Sequence, residues 1–97
     1  MHIRLETDGG FVVIPGLHPP IEVDVSELPQ ATGARIRALL TQADFFELPE
    51  LLPPPPQAAD VRMYKLTVED GDRVHTVRFS ELNSSPELRE LVTILRS

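Results

Sequence analysis

The side chains best able to hold a metal or move a proton in this chain are His2, His18 and His75, and they fall on three separate segments at no ligand-like spacing. No metal site is therefore expected in the chain itself. Asp70 and Asp72 flank Gly71 closely enough to hold a cation weakly, but Glu69-Asp70-Gly71-Asp72 between two strand patterns is turn chemistry. Ser84 and Ser85 precede Pro86-Glu87, which reads as a helix cap rather than a nucleophile. With no cysteine, no tryptophan, no Gly-x-Ser-x-Gly and no phosphate-cradling glycine loop, covalent and phosphoryl chemistry lack their usual parts. The chain is expected not to be an enzyme, to need no cofactor and to turn over no small-molecule substrate.

What remains is contact. Residues Asp44 to Asp60, DFFELPELLPPPPQAAD, contain Pro49 and Pro53 to Pro56, which fix φ near −65° and lack a backbone donor. That excludes a helix or a central strand, favours polyproline II, and gives a connection longer than the ~12 to 15 residues usual for a structureless loop. Long ordered loops tend to be binding elements.

The 97 residues suit a single domain, 1–97, with one sheet and one layer of helices. An apolar fraction of 41% beside 25% charged residues fits a globular protein rather than a disordered one. A net charge of −6 with nine scattered basic residues argues against nucleic acid, which needs clustered lysine and arginine. The start, MHIRLETDGG, has no apolar export region, and no run of ~18 apolar residues occurs, so neither secretion nor membrane insertion is expected. The absence of cysteine fits a reducing compartment, and a cytoplasmic, free monomer is the expectation.

The positioning elements follow from periodicity. His2 to Thr7 alternates, with Ile3 and Leu5 on one side; Asp8, Gly9 and Gly10 offer a turn before the apolar run Phe11 to Ile14. Ile21, Val23 and Val25 alternate again, and Pro15 to Pro20 either bulges one long strand or separates two short ones. Ile36, Leu39, Leu40 and Ala43 repeat at helical spacing, which predicts a helix from about Leu28 to Ala43 with Pro29 in its first turn. Phe45, Phe46 and Leu48 are expected to pin its exit against the sheet. Val61 to Glu69 and Arg73 to Ser80 form a hairpin in which Tyr64, Leu66 and Val68 share a face with His75, Val77 and Phe79. Leu88, Leu91, Val92 and Leu95 close the chain with a helix. The result is α+β in ββαββα order: an antiparallel sheet of four or five strands with two helices on one face.

Several blocks resemble the emfourin family in order and spacing. They are Gly9-Gly10-Phe11, Glu22 to Pro29, Ala43 to Pro49, Tyr64 to Gly71 with Arg73, His75 and Val77, and Pro86 to Leu95. The resemblance implies a small protein inhibitor of protealysin-like metallopeptidases of the thermolysin family, with any zinc belonging to the target. It also shows a departure: IPGLHPP lies between Gly10 and Glu22, where the family is expected to have a shorter, arginine-bearing segment.

If Phe11 to Val25 is one bent strand, and each helix runs antiparallel to the strand before it, three loops meet at one end of the sheet. The contact candidates are then Gly9, Gly10 and Phe11, then Leu52 with Pro53, Pro54, Pro55 and Pro56, and finally Ser84 and Ser85. If Pro15 to Pro20 is a true turn, Gly9 and Gly10 move to the opposite end. Such a wedge would enter a substrate cleft with its ordering entropy already spent, while prolines deny a peptidase the strand-like pairing of a good substrate. The alternative is a small interaction module whose proline-rich loop docks on an aromatic-lined receptor.

Overall fold

Alternating apolar residues build a four-stranded antiparallel sheet in the order β2-β1-β3-β4, with β1 at His2–Gly9, β2 at Ile21–Asp24, β3 at Arg62–Asp70 and β4 at Arg73–Ser80. The computed structural model describes residues 1–9, 20–52, 62–80 and 82–96. Ile3 stands opposite Val23 and Val68, Leu5 opposite Ile21 and Leu66, and Leu66 opposite Val77. Because side chains alternate with a period of two, Ile3, Leu5, Tyr64, Leu66, Val68, Val77 and Phe79 share one face, and all are buried. The opposite face carries polar cross-strand pairs such as Lys65–Glu6 at 3.4 Å and Thr67–Thr76 at 2.9 Å.

Two helices cover the apolar face. α1 (Gln30–Gln42) buries Ile36, Leu39 and Leu40, and α2 (Pro86–Arg96) buries Leu88, Leu91, Val92 and Leu95. Each such side chain stabilises the fold by about 1.5–3 kcal/mol when fully removed from water. The helices are fastened to each other at the surface by Arg35 and Glu90, whose guanidinium and carboxylate meet at 2.5 and 2.8 Å. That paired hydrogen bond raises the arginine above its ordinary value and holds the Glu90 carboxyl below its own.

Local expectations change in three places. Asp8 and Gly9 do not turn; they continue β1 opposite Met63 and Arg62, because a nine-residue β3 offers ladder partners that outweigh local turn preference. The expected strand Phe11 to Ile14 lies outside the described residues, with Gly10 and Pro15 to Pro19, and the strand seen beside β1 on that side is β2. Val25 opens a 3-10 turn, Val25–Glu27, instead of ending the strand. Its N–H donates to the Met1 carbonyl at 2.9 Å, and Ser26 bonds Asp24 through its N–H at 3.0 Å and its hydroxyl at 2.6 Å. These bonds, the hydroxyl first, hold the Asp24 carboxyl below its usual range. Finally, α1 starts after Pro29, whose ψ of 143° is extended, so the proline caps the helix from outside.

Gly33 has a packing reason as well as a cost to the helix. A Cβ there would lie 3.3 Å from Val25 Cγ1 and 3.4 Å from the Val25 carbonyl, so the bare backbone lets α1 rest on the preceding turn.

The largest correction concerns the direction of α1. It begins beside Val25, at the Asp24 end of β2, and its exit residues Thr41 and Asp44 share a hollow with Asp70 and Arg73 at that same end of the sheet, on the β4 side. The helix therefore crosses the strands instead of running back along β2. Thirteen residues rise about 20 Å, enough to span the three strand spacings of about 4.8 Å each.

Candidate functional site

The hairpin between β3 and β4 sets which loops share an end. Gly71 has φ of 62° at the first central position of a two-residue turn, a conformation that favours glycine, and so pairs Asp70 with Arg73. At the other end of the sheet Gly9 stands opposite Arg62, and Met63 opposite Ser80. Ile21, opposite Leu5, starts β2 from that same end. One edge therefore gathers the end of β1, the start of β2, the start of β3, the end of β4 and the connection Leu82–Ser85.

The segment before the prolines reaches this edge by being fastened along β4. Asp44, at φ 51°, ends α1 in the left-handed region and turns the chain into a 3-10 turn, Phe45–Glu47. Phe45 is fully buried, and Phe46 stands edge-on to it at 5.6 Å with the Arg73 guanidinium 4.1 Å above its ring. His75 lies 5.6 Å from Phe45 and donates from Nε2 to the Leu48 carbonyl at 2.7 Å; the carbonyl accepts only, which fixes the proton on Nε2. Beyond Pro49 the backbone pairs in parallel with β4: Arg78 N–H donates to the Glu50 carbonyl and Leu52 N–H to the Arg78 carbonyl, both at 2.8 Å.

This strap has two consequences. It covers part of the outer edge of β4, which would otherwise display unpaired backbone groups. It also delivers Leu52, half-buried, to the same end as Gly9 and Arg62. Sequence reasoning placed the phenylalanines correctly but missed the strap and the anchoring role of His75. The need to cover an edge strand next to an apolar, proline-broken segment was the signal that pointed there.

Of the contact candidates, Gly9, Leu52, Ser84 and Ser85 belong to the described residues and lie at this one end. Gly10, Phe11 and Pro53 to Pro56 lie outside them. Ser85 has a structural task, since its hydroxyl accepts from the Leu88 N–H at 3.3 Å and caps α2. Among the described residues no three histidine or acidic side chains gather where an ion could sit. His2 faces Glu22 at 3.5 Å on the open sheet face, away from His75.

Beside this end, α2 and the sheet enclose an open groove of about 740 Å³. Tyr64, Phe79 and Val92 form its floor, Leu82 its rim, and Arg89 and Arg96 approach from the helix.

Comparison with known proteins agrees with this architecture. The Emfourin family model matches residues 5–96. Among solved structures, emfourin (M4in) from Serratia proteamaculans, described as an M4 family peptidase inhibitor, aligns over 93% of this chain and 83% of its own, with 21% identity and a TM-score of 0.50. At that identity the likeness speaks for the fold. No curated protein matches.

Proposed function

The chain belongs to the emfourin family, and from that membership we propose that it is a protein inhibitor of a protealysin-like zinc metallopeptidase of the thermolysin family. The zinc in this reading is the peptidase's own. Inhibition is reversible and steric: the loop end of the sheet occupies the substrate cleft, and the inhibitor contributes no catalytic group.

The observation that carries the steric part is the convergence of Gly9, Leu52, Arg62 and Leu82–Ser85 on one end of the sheet. Leu52 sits outside β4 and Arg62 on β3, so the two stand about two strand spacings apart, roughly 10 Å, at the same end of the sheet. Anchoring by His75 and by the strap would lower the ordering cost of binding.

The test is a titration of the purified chain against a thermolysin-family peptidase with a short peptide substrate. Stoichiometric loss of hydrolysis, with the inhibitor recovered uncleaved, supports the proposal. Unchanged hydrolysis at micromolar inhibitor rejects it.

A further inference from the structure

We propose that the groove between α2 and the loop end of the sheet is a second contact surface, which takes an acidic segment of the peptidase carrying one large apolar side chain between two carboxylates. This rests on the inhibitor reading above and adds to it a site that shares Leu82 with the loop end and extends from there along α2.

Charge complementarity identifies the occupant. In a chain of net charge −6, Arg4, Arg35 and Arg73 sit in ion pairs. Arg89 and Arg96 meet no carboxylate among the described residues, and the Arg96 guanidinium lies 3.4 Å from the neutral Tyr64 hydroxyl. Seven residues apart, they project from the same side of α2 with roots about 10.5 Å apart. Val92 lies between them, and Leu82, 63% exposed, stands across the groove.

An extended segment fits these dimensions. Its alternate residues are about 6.8 Å apart, so carboxylates four positions apart span about 14 Å, within the reach of two flexible guanidiniums. The residue midway then faces Leu82 and Val92. An uncharged apolar peptide would leave both guanidiniums unanswered, and a basic one would be repelled.

Two measurements test the proposal together. The first follows amide shifts of the nitrogen-labelled chain on adding acetyl-Glu-Gly-Phe-Gly-Glu-amide or its Gln-Gly-Phe-Gly-Gln counterpart. Saturable shifts confined to Leu82 and the Arg89–Arg96 stretch, at least about ten-fold weaker for the glutamine peptide, are expected. No saturable shift, or equal response to both peptides, overturns the proposal, as does concentration-dependent self-association that blocks the groove. The second compares inhibition by the wild type and by Arg89→Glu/Arg96→Glu, with Arg89→Gln/Arg96→Gln as the milder variant should the reversal impair folding. The inhibition constant should rise about ten-fold or more at low salt, and less at high salt. Wild-type inhibition with unchanged constants in the variants overturns the groove alone. No inhibition even by the wild type overturns the inhibitor reading, and with it the peptidase as occupant.

Discussion

Replacing His75 by alanine removes part of what ties the strap to the sheet, chiefly the 2.7 Å hydrogen bond to the Leu48 carbonyl and the ring packing 5.6 Å from Phe45. The hydrogen bond is worth about 0.5–1.5 kcal/mol net and the aromatic contact a similar amount, so the expected loss is about 2 kcal/mol. For a domain of this size each kcal/mol lowers the melting temperature by about 4–8 °C, which predicts a fall of about 8–16 °C. The loss should also be local. The Leu52 and Arg78 amides, bonded at 2.8 Å just beyond the anchor, should exchange with deuterium about ten-fold faster or more, because the strap opens without unfolding the sheet. His75→Gln keeps a donor and should recover roughly half of the effect. Differential scanning calorimetry and amide exchange by nuclear magnetic resonance provide the readouts. A melting point within about 2 °C of wild type, together with unchanged exchange at Leu52 and Arg78, would refute the anchoring argument.

Gly71→Ala places a Cβ at φ 62° with nothing nearby to clash, so the cost is purely conformational, about 1–2 kcal/mol by urea unfolding. Ser85→Ala removes the hydroxyl that receives the Leu88 N–H and should cost about 1 kcal/mol, with Ser85→Thr close to wild type in the same assay. Glu90 titrates lower in the folded chain than in the unfolded one, through its hydrogen bond to Arg35. Its stabilising effect is therefore present above the unfolded pKa and disappears as pH falls from there through the depressed folded value. The difference in melting temperature between wild type and Glu90→Gln should be seen near neutrality and vanish in acid, and salt should shrink it because the pair is exposed.

What the sequence revealed was what short-range periodicity controls. The buried face of β3 and β4 follows from Tyr64, Leu66, Val68, Val77 and Phe79 at alternate positions, and the turn residue Gly71 fixes their register. Likewise Ser85-Pro86 and the spacing of Leu88, Leu91, Val92 and Leu95 specify α2 almost to the residue. Long-range partners were harder to read. Asp8 and Gly9 carry turn chemistry, yet β3 supplies them with a ladder partner fifty or more positions away, a competition that local preference does not encode. The crossing of α1 depends on where Phe45 finds its pocket against His75, and the strap depends on an unoccupied edge of β4. The anchoring role of His75 is hidden because its partner is a backbone carbonyl, and carbonyls are silent in a sequence. Gly9, Leu52, Ser84 and Ser85 share one end of the sheet, as in the reading in which three loops meet there, although its premise about α1 does not hold and most of its bent strand Phe11 to Val25 lies outside the described residues.

The proposed inhibition requires that the end of the sheet carrying Gly9, Leu52 and Arg62 meet the peptidase. Cross-saturation transfer from a protonated thermolysin-family peptidase to the labelled inhibitor tests it most directly. Attenuated amides are expected at Gly9, Leu52, Arg62 and Leu82 to Ser85, with Gly71 and Asp72 at the far turn unaffected. Attenuation centred on Gly71 and Asp72, with Gly9, Leu52 and Arg62 untouched, would contradict it.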